Sequence, residues 1–383
     1  MSKTLFIDAV TSLGSGHLQL QRELAAAAAS AAPANWKVIL LQADHVDPTQ
    51  STGALKVLKY KHPGPSWIKR WLWFNRVLPT IAQNHNASVF FSLNGILSKN
   101  LISNFACIGT VNNMVPFTPM LMSRQGLLSK NRLRLALLRR QYTWSLKNAH
   151  SVLVHSQFAL KQTEPWTGNI KNKSVICYTG IPTNLKFDLE NPPEHPLKGE
   201  PYLLYVSALQ WYKNHENLLR AYKKLLAGKQ DPPKLVLAGP VHDKVYAATI
   251  MDLIKSMGLE PHVLFTGLLS RDDLPGWIYN AKINIFASLC ETNSVILAET
   301  MGLYGVLLTS NREPMPEIAG MGAEYFDPEN VTDMAEKIEG LLSKSNLDLQ
   351  KKAAHRAKEF SWEKCGATIW EASRMAQENL NRF

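Results

Sequence analysis

Two glutamates, Glu291 and Glu299, stand eight positions apart in a segment that could bind a sugar or a nucleotide. Glu291 follows an apolar run at 283–287 that is typical of a buried strand, and either Asn293 or Ser294 could cap a helix containing Glu299. A helix that begins directly after a strand presents free backbone amides and the positive end of its dipole to an anion such as a diphosphate. The two carboxylates would then accept hydrogen bonds from sugar and ribose hydroxyls. Spacing alone leaves open that Glu291 is a solvated loop residue and Glu299 an exposed helix residue.

A second candidate is the glycine-containing stretch SLGSG at 12–16, which follows the first apolar run. Glycine has no Cβ, so the backbone there can approach a ligand closely. The stretch is not GxGxxG, so a nicotinamide site is not supported. An ordinary strand-to-helix turn is the alternative interpretation.

These segments belong to a regular alternation of short apolar runs and longer helical stretches. The strand candidates are 4–10, 36–42, 88–92, 107–111, 151–155, 174–177, 202–206, 234–238, 263–266, 283–287 and 305–309. Helix-length segments lie between them, for example at 213–227, 245–257 and 331–344. The alternation predicts an α/β fold with parallel sheets covered by helices on both faces.

A proline-rich segment at 189–201 interrupts the alternation and predicts a linker between two Rossmann-like domains, 1–188 and 202–365. The length of 383 residues suits two domains. Ligands in such sheets bind at the carboxyl ends of the strands, so we expect the site to lie in a cleft between the domains.

The charge is distributed unevenly along the chain. Residues 1–187 carry 21 Lys and Arg against 5 Asp and Glu, a balance of +16, whereas the remainder carries 21 against 26, a balance of −5. A basic first half predicts an anionic partner, which could be a nucleic acid, a membrane surface or a phosphorylated substrate.

The cysteine pattern and the hydropathy indicate a cytoplasmic protein. The four cysteines (Cys107, Cys177, Cys290 and Cys365) are scattered, which argues against a zinc site or a disulfide framework and fits a reducing compartment. No run of about 18 apolar residues predicts a membrane span. The alanine-rich stretch at 24–34 is interpreted as a helix rather than a signal peptide, because a strand candidate, Arg22 and Glu23 precede it.

The order of residues from 286 to 328 resembles the donor-site signature of retaining glycosyltransferases of family 4, the glycosyl transferases group 1. The matching positions are Glu291, Glu299, Met301, Gly302, Gly305, Val306, Ser310, Pro316, Glu317, Phe326, Asp327 and Pro328. The resemblance implies the GT-B fold, in which two Rossmann-like domains with parallel sheets face a central cleft. It also implies a nucleotide-sugar donor held by the second domain.

Other segments resemble the same family over nearly the whole chain. The stretch 205–222 resembles the strand, loop and helix whose lysine holds the donor phosphates, and Lys213 is that lysine here. The stretch 360–372 resembles the closing segment, which implies that a C-terminal helix at 366–383 returns to the first domain. The resemblance places Gly14, Ser15 and Gly16 beside the donor phosphates and the acceptor.

The chain departs from the family pattern at three places. Ser207 and Ala208 replace a usual Gly-Arg pair, 292–294 replaces Gly-Phe-Gly, and Asn112 and Asn113 stand where many members have a histidine aimed at the donor sugar. With these departures, the resemblance implies catalytic roles for Glu291, Lys213 and Asn113. The implied donor-binding residues are Gly14, Ser15, Gly16, Ser207, Lys213, Asn214, Glu291, Thr292, Asn293, Ser294, Val295 and Glu299.

The sequence predicts no metal site and no cofactor other than the nucleotide-sugar co-substrate. Asp272 and Asp273 resemble an acidic metal motif, but they are better placed to charge or cap the first turn of a helix at 273–280. The resembled family needs no divalent cation.

Two basic segments, one from Trp67 to Arg76 and one from Lys130 to Arg140, are candidates for contact with an anionic membrane. Tryptophan rings beside lysine and arginine suit the level of the lipid headgroups. The alternatives are that the tryptophans belong to the core and the cations to a solvated helix face, or that the partner is a nucleic acid, for which no known module is visible.

The sequence therefore predicts a retaining glycosyltransferase that moves a sugar from a nucleotide-diphosphate sugar to a glycan or lipid-linked acceptor, in cell-surface polysaccharide or lipopolysaccharide synthesis. We expect it in the cytoplasm or at the inner face of the cytoplasmic membrane. The alternatives are a non-catalytic sugar-nucleotide-binding subunit, which Ala208 and the two asparagines would suit, and a sugar-nucleotide epimerase or phosphorylase on the same fold.

Overall fold

A computed structural model describes residues 3–11, 15–46, 49, 51–126, 129–182, 185, 190–227 and 231–381. The chain forms two compact units. The first comprises Met1–Gly180 with Ser361–Phe383, and the second comprises Ile181–Phe360. No helix among the described residues is long and apolar enough to cross a membrane.

The first unit is built on a parallel sheet of seven strands. The strands are β1 (Lys3–Asp8), β2 (Trp36–Ala43), β3 (Leu55–Tyr60), β4 (Ala87–Ser92), β5 (Ala106–Gly109), β6 (Ser151–Val154) and β7 (Ser174–Ile176). The helices are α1 (Ser15–Ser30), α2 (Trp67–Leu72), α3 (Leu78–Asn84), α4 (Lys99–Asn104), α5 (Pro119–Ser123), α6 (Lys130–Asn148), α7 (Gln157–Thr167) and, after the second unit, α15 (Trp362–Leu380). The strand order is β3-β2-β1-β4-β5-β6-β7.

The second unit has a six-stranded parallel sheet. Its strands are β8 (Tyr202–Val206), β9 (Lys234–Ala238), β10 (Val263–Gly267), β11 (Ile283–Phe286), β12 (Leu307–Ser310) and β13 (Glu324–Phe326). Its helices are α8 (His215–Leu226), α9 (Lys244–Ser256), α10 (Leu274–Asn280), α11 (Val295–Gly302), α12 (Met315–Ala319), α13 (Val331–Leu342) and α14 (Leu347–Ala357). The strand order is β10-β9-β8-β11-β12-β13. Both units are Rossmann-like, as predicted.

The central strands are buried because helices cover both faces of each sheet, which is why they read as continuous apolar runs. The edge strands are different. Two strands, β3 and β13, were not predicted from the sequence, and both lie at a sheet edge. β3 carries Lys56 and Lys59 and is only partly buried, and β13 has three residues. Neither has the apolar run that marks a central strand.

The C-terminal helix packs on the first unit, as the resemblance implies, but it begins at Trp362 rather than at 366. A Cβ on Gly366 would lie 2.4 Å from the carbonyl oxygen of Ala27, so the lack of a side chain there lets α15 pack closely on α1. The indole nitrogen of Trp370 donates to the Ala28 carbonyl at 2.8 Å. The Ser151 hydroxyl donates to the Ala372 carbonyl at 2.8 Å.

The boundary between the units differs from the predicted one. It falls after Gly180 rather than after 188. The proline-rich segment packs into the second unit: Asn280 Nδ2 donates to the Pro193 carbonyl at 3.1 Å, and the His195 and Tyr202 rings meet edge to face. Its prolines exclude regular structure but do not prevent packing.

One predicted surface residue is buried. Trp73, grouped with the membrane-facing tryptophans in the sequence analysis, is 3% exposed and packs against Tyr60. It follows α2 in a π-helical turn, so the helix places it on the side facing the protein.

Candidate functional site

The strand order of the second unit locates a crevice between β8 and β11. Successive strands extend the sheet to one side from β8 to β10 and to the other side from β11 to β13. Loops that leave two such central strands diverge at their carboxyl ends, where open α/β sheets bind their ligands. The loop after β8 carries Ser207, Lys213 and Asn214, and the loop after β11 carries Glu291 through Ser294. The fold thus brings together most of the donor-binding residues predicted in the second unit.

A nearly buried ion pair joins these two loops. Lys213 Nζ lies 2.5 Å from Glu291 Oε1, and the two side chains are 15% and 11% exposed. Burial, the largest single influence, lowers the pKa of Lys213, but the charge and hydrogen bond of Glu291 together with the nearby Tyr212 and Cys290 outweigh it, so the pKa is raised. The ammonium therefore stays charged, and Glu291 is not a solvated loop residue.

Backbone contacts hold both loops in place. The amide of Leu289 donates to the Tyr212 carbonyl at 2.8 Å, and the Tyr205 hydroxyl donates to the Lys213 carbonyl at 2.6 Å. Asn214 adopts a left-handed conformation with φ of 62°, which asparagine tolerates better than most residues. Its side-chain amide donates to the Pro328 carbonyl at 2.7 Å. Asn214 therefore fixes the Lys213 loop against the Phe-Asp-Pro segment at 326–328. This contact explains how a segment far from Lys213 in sequence helps to position the Lys213 loop.

The start of α11 is suited to an anion. Ser294 precedes the helix and is 2% exposed, and its hydroxyl has no hydrogen-bond partner among the described residues. Leaving a buried hydroxyl unsatisfied costs roughly 1–3 kcal/mol. A phosphate oxygen at the positive end of the helix would accept this hydrogen bond together with those of the first amides. Thr292 is buried beside Ser294 in sequence, and Val295 is the first helical residue.

Glu299 is buried within α11 and is not an exposed helix residue. It is 3% exposed, and its Oε1 accepts from Arg271 Nη2 at 2.8 Å. The Arg271 side chain is 34% exposed, and its Nε has no partner among the described residues. Sequence reasoning missed Arg271, although it stands directly before the aspartate pair that was considered for metal binding.

One member of that aspartate pair, Asp273, is engaged in the turn before α10. Asp273 Oδ2 accepts from the Ser270 hydroxyl at 2.6 Å, and the Asp273 amide donates back to Ser270 Oγ at 3.0 Å. This reciprocal pair organises the turn that leads into α10. Among the described residues, no cluster of three or more histidine, cysteine or acidic side chains could hold a metal ion.

His215 directly follows the loop that carries Lys213 and Asn214, but it is not a second cation. It is 1% exposed, and its ring packs 4.9 Å from that of Tyr205. Burial, helped by the charge of Lys213, lowers its pKa to about 3. The neutral ring therefore serves as packing behind Lys213.

The first unit has the equivalent crevice between β1 and β4, and an acid that sequence reasoning missed lies there. Asp8 ends β1 and is fully buried. It accepts from the Val10 amide at 3.1 Å and from Asn94 Nδ2 at 3.1 Å. Asn94 Nδ2 also lies 2.6 Å from the Thr11 hydroxyl. Burial raises the pKa of Asp8 to about 7, although the hydrogen bonds from Val10 and Asn94 oppose the shift.

The remaining predicted residues of the first unit are placed as follows. Gly14 lies outside the described residues, and Ser15 and Gly16 open α1. Asn113 is partly buried, and its Oδ1 accepts from the Val115 amide at 3.0 Å. Asn112 Nδ2 donates to the Leu93 carbonyl. In the second unit, Ser207 is buried, and its amide donates to the Ala238 carbonyl at 2.7 Å.

The second unit matches a known family. Residues 188–360 match the family model of the glycosyl transferases group 1. This confirms the resemblance to the glycosyl transferases group 1 for the segment that carries the candidate site.

Two curated relatives are similar over part of the chain. The serotype-specific mannosyltransferase WbdA of Escherichia coli is 30% identical over 166 residues, which are 43% of this chain and 20% of WbdA. The O-antigen chain mannosyltransferase B of Escherichia coli is 26% identical over 230 residues, 58% of this chain and 59% of the relative. The chain thus spans about a fifth of the length of WbdA.

The fold is shared with solved structures over nearly its full length. The sucrose-phosphate synthase of Thermosynechococcus elongatus superposes with a TM-score of 0.77 at 18% identity, and the match covers 97% of this chain and 98% of that one. The predicted α/β, GT-B fold class is therefore confirmed.

Proposed function

From the premise that residues 188–360 carry a glycosyl transferases group 1 segment, we propose that the chain is a glycosyltransferase. It transfers a sugar from a nucleotide-diphosphate sugar, with retention of configuration, to a glycan or lipid-linked acceptor. The names of the curated relatives favour surface-polysaccharide synthesis and a mannosyl donor. The observation that carries the proposal is the buried Lys213–Glu291 pair on the two loops of the crevice.

In this proposal the ion pair is exchanged when the donor binds. The diphosphate takes the Lys213 ammonium and the start of α11, where Ser294 has an unsatisfied hydroxyl. Glu291, released from Lys213, accepts a hydrogen bond from a hydroxyl of the donor sugar. These charges are fixed in place before the reaction and stabilise the charge that develops on the leaving phosphate.

Glu299 accepts hydrogen bonds from the ribose. Arg271 holds one carboxylate oxygen, so the orientation of the carboxylate is set before the nucleotide arrives. The positions of Lys213 and Asn214 are likewise set by hydrogen bonds from side chains to backbone carbonyls. A site fixed in this way loses little conformational entropy on binding.

Transfer itself needs no protein nucleophile. The acceptor hydroxyl attacks the anomeric carbon on the face from which the phosphate departs, so a new carbon–oxygen bond forms as the bond to phosphate breaks. The proton of the acceptor passes to the leaving phosphate oxygen. Retention of configuration follows from this same-face displacement.

A thermal-shift screen against GDP, UDP, ADP and dTDP, with and without magnesium, tests the donor site. A nucleotide that binds only the folded protein raises the free energy of unfolding by about 2.7 kcal/mol at 100 times its Kd. We expect a shift with one nucleotide that magnesium does not change. Lys213→Ala should lose the shift, and Lys223→Ala, at an exposed position on α8, should keep it.

The matching nucleotide sugar is then supplied with lipid-linked acceptors, GDP-mannose first if GDP gives the shift. NMR of the product reports the anomeric configuration. An inverted product would overturn retention. A nucleotide shift without transfer to any acceptor would favour the non-catalytic binding subunit, and no shift in folded protein would remove the donor site.

A further inference from the structure

Helix α2 is anomalous because it exposes its apolar side chains. None of its six residues, all of which the structure describes, is buried. Trp67 is 77% exposed, Ile68 51%, Trp71 53% and Leu72 37%. Scattered exposed apolar residues are normal, but a contiguous group of large ones marks an interaction surface.

The apolar residues of α2 form one face with a cation at each border. At about 100° per residue, Trp67, Trp71, Ile68 and Leu72 fall within an arc of about 140°. Lys69 and Arg70, both exposed, flank the two sides of this arc. The buried Trp73 follows at once and anchors the helix to the protein. The exposed face is therefore presented outward by a fixed element.

Helix α6 repeats this composition. Leu133 and Leu137 are 63% and 54% exposed and stand one turn apart. Lys130, Arg134 and Arg140 are exposed on the same side of the helix. Two of the five cations between Lys130 and Arg140 have partners within the protein. Arg139 stacks on Trp166, with Cζ 3.8 Å from the ring centre, and Arg132 donates to the Gln125 carbonyl. Three cations of this run thus remain exposed.

The charge around both helices has one sign. Between residues 48 and 163 the chain has fifteen lysines and arginines and no aspartate or glutamate. Both helices lie inside this stretch. No acidic side chain of the stretch therefore opposes an anionic partner at either face.

We infer that α2, assisted by α6, docks the first unit on an anionic lipid bilayer. The exposed aliphatic side chains decide between a bilayer and a nucleic acid. Bases stack on aromatic rings, but they do not stack on aliphatic side chains. The exposed aliphatic residues can instead insert among lipid acyl chains; they are Ile68, Leu72, Leu133 and Leu137. The α2 helix lies in the interfacial plane with its apolar arc toward the acyl chains and Lys69 and Arg70 at the headgroup phosphates.

Vesicle co-sedimentation of the full chain tests the inference. Vesicles of phosphatidylglycerol mixed with phosphatidylcholine are compared with vesicles of phosphatidylcholine alone, in 0.1 M and 1 M NaCl. We expect binding to the anionic vesicles at low salt and at least a tenfold loss at high salt, because the Debye length falls from about 10 Å to about 3 Å. A single-stranded DNA oligonucleotide is the competitor.

Two variants with matched controls separate the apolar and the charged contributions. Trp67→Ser/Trp71→Ser and Lys69→Glu/Arg70→Glu should each lower the partition coefficient about tenfold or more. The controls are Val245→Ser/Leu268→Ser, at positions 80% and 64% exposed on the second unit, and Lys244→Glu/Lys255→Glu on the exposed side of α9. Circular dichroism melting checks that each variant is folded.

Three outcomes overturn the inference. The first is that the wild type does not bind anionic vesicles, and the second is that both α2 variants bind as well as their controls. The third is that the oligonucleotide displaces the protein completely while the tryptophan substitutions have no effect on vesicle binding. The assay contains no donor or acceptor. Its result is therefore independent of the proposed transferase activity.

Discussion

The two units share a strand order around their central strands but place different side chains at the crevice that this order creates. In the second unit the crevice between β8 and β11 carries Lys213, Glu291 and the start of α11. In the first unit the crevice between β1 and β4 carries a buried acid, Asp8, which is hydrogen-bonded to Asn94, and Asn94 in turn contacts Thr11. The topology thus determines where a ligand can bind, and the side chains determine which ligand.

This contrast assigns different tasks to the two crevices. The second holds a cation that an anionic group can take over from Glu291. The first holds a buried carboxyl whose hydrogen bonds connect the ends of β1 and β4, so Asp8 positions the loop after β1. The first unit also carries the excess of basic residues, yet the buried residue of its crevice, Asp8, is an acid.

The largest effect is expected at Lys213. In the proposed function, Lys213→Ala removes a fixed charge that stabilises the leaving phosphate, and loss of one such group costs about 100- to 1,000-fold in rate. We expect kcat/KM for the nucleotide sugar to fall by at least about 100-fold in steady-state transfer assays. Lys223→Ala is the control, and comparable activity of the two variants would show that the crevice of the second unit is not the donor site.

A smaller effect is expected at Arg271. Arg271→Ala takes the guanidinium from the buried Glu299, which should raise the KM for the donor by about tenfold while kcat changes less, because the ribose is bound in both the ground state and the transition state. Arg271→Lys should recover part of the loss. Steady-state kinetics against donor concentration measure the split between KM and kcat.

Arg312→Ala is the control for Arg271. Arg312 pairs with Asp327 and Glu329 at 2.9 Å, but these acidic side chains are 40% and 36% exposed, and exposed pairs contribute about 0–1 kcal/mol. Equal effects of Arg271→Ala and Arg312→Ala on the donor KM would remove the positioning role of Arg271.

A third effect, on stability rather than on rate, is a pH dependence at Asp8. Its pKa is about 7 in the folded protein against 3.8 ordinarily, so the folded state binds the proton more tightly. Between about pH 4 and pH 7 the free energy of unfolding therefore falls as pH rises, by up to about 1.4 kcal/mol per pH unit. Asp8→Asn carries no charge, so its melting temperature should rise relative to wild type by several degrees between pH 5 and pH 8.

Glu164→Gln, at an exposed position of α7 in the same unit, is the control for Asp8→Asn and should show no such trend. A constant difference between wild type and Asp8→Asn at every pH would mean that the Asp8 carboxyl does not titrate in this range.

Much of the site was predictable because its signals are local in sequence. The strand before Glu291, the start of a helix near Ser294 and the burial of the central strands follow from apolar runs and local residue preferences. The Ser294 side chain, however, does not cap the helix. Arg271 and Asp8 were not predictable in this way. Each acts on a side chain far away in sequence, Arg271 on Glu299 and Asp8 on Asn94, and one sequence does not show such pairings.

The sequence by itself determined the α/β class, the alternation that builds two parallel sheets, and the residue types of the loop that follows β11. These features depend on hydrophobic periodicity and on backbone preferences within a few residues. The tertiary structure alone decided that Lys213 contacts Glu291, that Trp67 and Trp71 are exposed while Trp73 is buried, and that the proline-rich segment packs into the second unit. Ion pairing and burial depend on which segments the sheet order brings together, and that order is a property of the whole fold.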